Sequence, residues 1–202
     1  MTTTIGVLAL QGDFAEHAAM LARIGAGVRE VRLPKDLAGI SGLILPGGES
    51  TTLANLMDVY GLREPVRSLA KNGLAMWGTC AGLIALASRV QGRAEPIIGV
   101  LDVEVQRNAY GRQVDSFEAD IAAPLVGEKP FHAVFIRAPV VTNMGPGVKA
   151  LAALPNGSPV AVRQEHLLGT TFHPELTDDV RFHRYFLKLV EERSRRERAS
   201  IR

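Results

Sequence analysis

The chain has 202 residues, 47% hydrophobic and 22% charged, the balance of one soluble globular domain rather than of a disordered chain. Its single cysteine, Cys80, excludes an internal disulfide and any Cys-rich zinc module, and suits a reducing compartment. The net charge of +2 is matched by the last twelve residues alone, Glu191 to Arg202, which hold five Arg and three Glu. The balanced remainder offers no basic footprint for nucleic acid, and the tail reads as a solvated helix end.

Met1-Thr2-Thr3-Thr4 lacks the basic n-region of a signal peptide. No apolar run approaches the roughly 18 residues that span a bilayer, so a soluble cytoplasmic protein is expected. Ile5 to Leu10 is apolar apart from Gly6, as in a strand covered on both faces. Asp13, with Glu16 three positions on, reads as a capping box. It opens a helix whose apolar stripe is Phe14, Ala18, Leu21 and Ala22. Gly25 or Gly27 ends that helix, and Val28 to Leu33 predicts a second strand. Gly42 to Leu45 predicts a third, and Ser50 is a fair N-cap for a helix over Thr51 to Tyr60. Leu74 to Trp77 predicts a further strand, and Leu83 to Ala87 opens an almost wholly apolar helix. This alternation calls for a mostly parallel sheet with helices on both faces, a three-layer α/β/α fold.

From about residue 98 the pattern changes. Leu101, Val103 and Val105 alternate with Asp102, Glu104 and Gln106, the period of a half-exposed strand. Gln113 to Ile121, Phe131 to Ile136, Val160 to Gln164 and Leu168 to Phe172 continue in strands. They are expected to add antiparallel strands to the sheet's edge and flank. Val180 to Val190 predicts a closing amphipathic helix. The expected organisation is one domain over 1–190 and a charged, Arg-rich tail over 191–202, with no internal repeat.

The strongest local signal is Gly78-Thr79-Cys80-Ala81-Gly82, between a predicted strand and an apolar helix. It is a nucleophile elbow with Cys in place of Ser. Glycines two residues to either side let strand and helix nearly touch. A helix N-terminus also favours the thiolate form of a cysteine beside it. A cysteine nucleophile needs a base, and His173 in Phe172-His173-Pro174-Glu175 is the best of five histidines. Pro174 biases His173 toward extended geometry, in which Glu175 points to the same side and can reach the imidazole. Together they make a Cys–His–acid triad. The zinc deaminase reading of His-x-Glu needs a further Cys pair, which the chain lacks. His17, His132, His166 and His183 are expected to be structural or surface residues.

Pro46-Gly47-Gly48-Glu49-Ser50 ends a strand and opens a helix. Its glycines suit an oxyanion hole or a phosphate nest, and beside the elbow the oxyanion hole is preferred. No Walker loop or G-x-G-x-x-G occurs. Arg107 continues the face of Leu101, Val103 and Val105, and Arg137 that of Phe131, Ala133 and Phe135. If the strands persist that far, each guanidinium needs an anion, either a structural carboxylate or a substrate carboxylate.

These segments resemble the class I, triad-type glutamine amidotransferases. Within them they are most similar to the glutaminase subunits of pyridoxal 5′-phosphate synthase. The resemblance is carried by Leu8-Ala9-Leu10-Gln11-Gly12-Asp13, Leu45 to Thr52, Gly78 to Gly82, Arg107 to Gln113 and Phe172 to Glu175. Tyr110 stands where those proteins more often have Phe. The resemblance implies a flavodoxin-like version of the fold and hydrolysis of L-glutamine to glutamate and ammonia. Cys80 would attack the side-chain carboxamide, with His173 managing protons and Glu175 orienting it. Backbone N–H groups of Gly47, Gly48 and Ala81 would hold the oxyanion. Gly47, Gly48, Glu49, Arg107, Ile136 and Arg137 would bind the substrate, and Gln11 would lie near the oxyanion loop and a partner contact. Ammonia would pass to a separate synthase subunit, whose docking activates the glutaminase; no cofactor or metal is implied.

Three other readings compete. A glutaminase subunit serving another pathway, such as imidazole glycerol phosphate synthesis, is disfavoured by Gln11-Gly12-Asp13 and by Arg107 to Gln113. A stand-alone cysteine hydrolase of related families would usually place His directly after the nucleophile, where Ala81 stands. A binding protein that has kept the scaffold would not depend on Cys80.

Overall fold

The structure, a computed structural model, describes residues 3–107 and 116–200, the last five by backbone alone. Residues 108–115 carry most of the Arg107-to-Gln113 motif, Tyr110 included, and the start of the strand expected from Gln113; they lie outside the described residues. The first half runs β1 (Thr4–Leu8), α1 (Phe14–Arg23), β2 (Gly27–Val31), β3 (Gly42–Leu45), α2 (Ser50–Val59), α3 (Arg63–Lys71), β4 (Ala75–Thr79) and α4 (Ala81–Leu86). The second half is mostly strand: β5 (Ala87–Val90), β6 (Leu101–Gln106), β7 (Ser116–Ile121), β8 (Phe131–Ile136), β9 (Val140–Met144), β10 (Lys149–Ala153), β11 (Pro159–Gln164) and β12 (Leu167–Thr170). α5 (Arg181–Ser200) closes the chain.

A seven-stranded sheet forms the centre in the order β10-β11-β12-β4-β3-β1-β2. From β2 to β12 every pairing is parallel, and β10 and β11 extend the far edge antiparallel. The order β2-β1-β3-β4-β12 is that of flavodoxin-like doubly wound sheets, whose sites lie beyond the carboxyl ends of the strands. The flank strands form two small sheets of their own, β5-β6-β9 and β7-β8.

Strand parity divides the core between the two faces. Leu8, Leu43, Leu45 and Met76 join Leu53, Met57, Val66, Leu83 and Leu86 of α2, α3 and α4. Ile5, Val7, Ile44 and Trp77 join Leu21 of α1 and Phe182, Phe186 and Leu189 of α5. β3 is buried along its whole length, with Leu43, Ile44 and Leu45 at 0% exposure. Each such side chain contributes about 1.5–3 kcal/mol by leaving water.

Several local expectations are corrected. Asp13 precedes α1 but makes no side-chain cap, and α1 buries His17, Met20 and Leu21 while Ala22 is exposed. The N-cap of α2 is Glu49, not Ser50: its carboxylate accepts the N–H groups of Thr51 and Thr52. α3 escapes a search for apolar stripes because Arg63-Glu64-Pro65-Val66-Arg67-Ser68-Leu69-Ala70-Lys71 buries only Val66 and Ala70. α4 stops at Leu86 because the Ile98 and Val100 N–H groups take the carbonyls of Ala85 and Leu86, and the chain leaves as β5. β10 is alanine-rich and carries no strand signal of its own; its pairing with β11 makes it a strand. α5 runs on past Val190 without a break, with Arg195 paired to Glu191 one turn earlier.

The elbow shows why its flanking positions are glycine. A Cβ on Gly82 would collide with the Leu45 carbonyl, and one on Gly78 with the Gly82 backbone. Gly82→Ala is therefore expected to destabilise the fold by about 1–3 kcal/mol through overpacking. Urea denaturation measures this, and an unchanged midpoint would contradict the close approach.

Candidate active site

Four parallel strands bring Gln11, the Gly47-Gly48 loop, Cys80 and His173 together at their carboxyl ends, and the smaller sheets add Arg107, Ile136 and Arg137. β4 delivers Cys80, which sits at φ 47° and ψ −104° between strand and helix. For a residue with a side chain this conformation costs of order 1–3 kcal/mol. The Cys80 N–H donates to the Thr170 carbonyl on β12 at 2.8 Å, and the Ile84 N–H to the Cys80 carbonyl at 3.2 Å. The thiol is free and nearly buried, its Sγ 3.9 Å from the Ile136 carbonyl oxygen.

The chain leaving β12 supplies His173, whose N–H donates to the Val134 carbonyl on β8 at 2.8 Å. Its Nδ1 lies 2.8 Å from Glu175 Oε1 and 3.2 Å from Asp13 Oδ2, and its ring is hydrogen-bonded to Cys80. Glu175 reaches the imidazole from a 3-10 turn, Pro174–Leu176, and not along an extended strand as the sequence reading assumed. Burial disfavours a charge on His173. The hydrogen bonds with Asp13, Cys80 and Glu175 outweigh it and hold the imidazole pKa up at about 12. Burial in turn raises the Glu175 carboxyl, against the pull of His173. Asp13, His173 and Glu175 also cluster closely enough to invite a metal. Among themselves the three side chains form a hydrogen-bonded, charge-paired network centred on His173 Nδ1.

The loop after β3 lies against this pair. A Cβ on Gly47 would strike the His173 ring, and one on Gly48, at φ 132°, would strike the Gln11 amide. Gln11 spans the loop, donating to the Gly47 carbonyl at 3.3 Å and accepting the Glu49 N–H at 3.0 Å. Ala81 opens α4, where the first N–H groups of a helix have no intrahelical acceptor. Partial burial works against the Glu49 charge, but hydrogen bonds from Thr51 and Thr52 lower its pKa to about 2. Arg107 Nη2 stands 3.4 Å from both Glu49 Oε1 and Thr51 Oγ1.

Arg107 and Arg137 each lie one residue beyond a strand, and Arg137 has φ 42°, so strand parity does not place them. Both nevertheless face one cleft of about 280 Å³. Cys80, His173, Asp13, Gly48, Glu49, Ser50, Ile84 and Ile136 line the rest of it.

Asp13 was missed as a site residue because it resembled a helix cap. The available signal was its place in Gln11-Gly12-Asp13, one of the segments that carry the family resemblance. Of the remaining histidines, His132 is exposed between Asp120 and Glu118, and His166 bonds the Ala70 carbonyl. His17 and His183 are fully buried and bonded to each other at 3.0 Å.

The fold is that of the glutamine amidotransferases. A crystal structure described as a glutamine amidotransferase superposes with TM-score 0.88 at 51% identity, covering 93% of this chain and 98% of that one. The chain also matches the SNO glutamine amidotransferase family over residues 7–192, and it belongs to that family. It is 55% identical over 189 residues to the pyridoxal 5′-phosphate synthase subunit PdxT of Chloroflexus aurantiacus, covering 92% of this chain and 100% of the relative. To the PdxT of Deinococcus radiodurans it is 56% identical over 198 residues, covering 95% of this chain and 99% of the relative.

Burial lowers the pKa of both His17 and His183, His183 to about 3 with help from the Arg23 charge. Unfolded, each titrates near 6.5, so below about pH 6.5 the unfolded state binds the extra protons and stability falls with pH. His173 has the opposite sign: its contribution is complete below about 6.5 and is lost as pH rises toward about 12. The thermal midpoint is expected to drop between roughly pH 6.5 and 5. His183→Gln should flatten that slope in calorimetry; an identical slope in the variant contradicts the assignment.

Proposed function

We propose that the chain is the glutaminase subunit of a pyridoxal 5′-phosphate synthase, acting in the cytoplasm. It hydrolyses L-glutamine to glutamate and passes ammonia to the synthase subunit. The observation that carries this reading is a cleft lined by Cys80, His173 and two arginines, with Glu175 buried behind His173 and bonded to its Nδ1. Its PdxT relatives, matched over nearly their whole length, supply the pathway. No helix among the described residues is long and apolar enough to cross a membrane.

An imidazolium at His173 favours the thiolate of its cysteine neighbour. The Cys80 sulfur attacks the carboxamide carbon of glutamine, and the C=O electron pair moves to oxygen. That oxyanion is received by backbone N–H groups of the Gly47-Gly48 loop and of Ala81, each such donor contributing about 2.7–4 kcal/mol. His173 gives its proton to the amide nitrogen, the C–N bond breaks, and ammonia leaves a γ-glutamyl thioester. Water then attacks the thioester carbon, His173 takes the water's proton, and glutamate departs as the thiolate is restored. Through both halves Glu175 holds the Nδ1 side of the ring, so Nε2 remains the working nitrogen. Arg107 and Arg137 offer the α-carboxylate of glutamine two cations, and Glu49 offers the α-ammonium a carboxylate that stays ionised.

Cys80→Ala is expected to abolish glutamine-driven pyridoxal phosphate formation with a cognate synthase while sparing the ammonia-driven reaction. Retained glutamine-driven turnover would overturn the reading. Arg107→Ala should lower kcat/KM for glutamine by roughly 10- to 100-fold, mainly through KM, as loss of a charged hydrogen bond requires. Steady-state assays separate the two parameters.

A further inference from the structure

We propose that His17 and His183 form a buried dyad that positions Glu175, extending the hydrogen-bonded line behind Cys80 by two imidazoles. The proposal rests on the triad reading above. Glu175 has two carboxylate oxygens in a fully buried position. Oε1 is taken by His173 at 2.8 Å, while Oε2 has no regular hydrogen bond and lies 3.3 Å from His17 Nε2. The same Nε2 is 3.2 Å from Thr79 Oγ1, the residue just before the elbow cysteine. On the other side of the ring, His17 Nδ1 is 3.0 Å from His183 Nε2, and His183 Nδ1 is buried with no partner among the described residues. Trp77 meets both imidazoles edge to face, at centroid distances of 5.6 and 4.9 Å, and fixes their planes.

Burial keeps both rings neutral, so each carries one proton and the chain has two possible senses. In one, His183 donates from Nε2 to His17 Nδ1, and His17 donates from Nε2 toward Glu175 Oε2 and Thr79. The nitrogen left over is His183 Nδ1, a bare acceptor. In the other, His17 donates from Nδ1, its Nε2 lone pair faces a carboxylate oxygen, and a buried N–H is orphaned on His183. An unsatisfied buried N–H is rarer and costlier than an under-used acceptor, and lone pair against carboxylate is repulsive. The first sense therefore prevails. It turns an N–H-bearing imidazole nitrogen toward each Glu175 oxygen, His173 at 2.8 Å and His17 at 3.3 Å, so the carboxylate lies between the two rings. His17 comes from α1 and His183 from the first turn of α5. The dyad thus ties the two helices of one layer to the ring orientation of His173, and it acts only through Glu175, as a positioning element.

The test has two arms. In the wild-type chain, ¹⁵N-histidine NMR should show His17 and His183 both neutral with the proton on Nε2. A proton on Nδ1 of His17 overturns the proposal without any variant having to fold. In glutamine hydrolysis with the synthase subunit present, His17→Leu should lower kcat roughly 10- to 100-fold with KM within about twofold, the loss of one hydrogen bond to a buried charge. His17→Gln, whose amide N–H falls near the Nε2 position, should recover most of that loss. Wild-type kcat in His17→Leu, or equal impairment of the Leu and Gln variants, would refute positioning. Cys80→Ala run alongside keeps the readings apart: activity surviving there sinks the triad itself, whereas a silent His17→Leu sinks only the dyad.

Discussion

The site depends on one backbone constraint, the left-handed conformation of Cys80 at the junction of β4 and α4. An L-residue does not rest there unaided, so the surroundings must over-determine it. Gly78 and Gly82 permit the strand and helix to come within backbone contact, and the Cys80 N–H is anchored to Thr170 on the neighbouring strand. That anchor has a second effect. It sets the register of β12 against β4, pairing Thr170 with Thr79, and His173 follows three residues later. The geometry that strains Cys80 therefore also fixes the distance at which His173 arrives.

The electrostatics follow from that juxtaposition. A nearly buried imidazole would ordinarily lose its proton, because desolvation penalises charge. Here two carboxylates converge on Nδ1 and the thiol lies on the other side, so the charged form wins. Asp13 and Glu175 approach from different elements and with different exposure, one at the open cleft and the other sealed in the core. Water screens the first and hardly touches the second. The sealed carboxylate dominates orientation, and the exposed one adds charge where solvent and substrate can change its strength.

How much of this was legible in the sequence follows from the range over which each signal acts. The elbow, the Gly-Gly loop and His173-Pro174-Glu175 are short-range patterns, and the structure places all three around one cleft. The alternation of buried strands and helices is likewise local, and it sufficed for the parallel half of the sheet. What escaped was set by tertiary partners. α4 ends where residues 97–100 claim its carbonyls, β10 is a strand because β11 pairs with it, and Glu49 is a cap as well as a neighbour of Arg107. Asp13 was read through local capping rules, yet its carboxylate turns away from its own helix toward a histidine far along the chain. His17 and His183 carried no motif because their meaning lies in a contact between two helices remote in sequence.

The second half of the chain has a separate logic. The parallel strands carry Cys80, His173, Glu175 and the Gly-Gly loop. The smaller sheets carry Arg107 just beyond β6, Ile136 at the end of β8 and Arg137 just beyond it. The two sides of the cleft are thus mounted on different sheets, joined by a few links such as the His173 N–H to Val134 and the approach of Cys80 Sγ to the Ile136 carbonyl. A change in the flank strands can reshape what the cleft grips without moving the elbow, because the elbow's anchors lie in β3, β12 and α4. The reverse does not hold. A shift of β12 moves His173 and, through Val134, the strand that presents Arg137, so disturbance of the parallel sheet reaches both sides of the cleft at once.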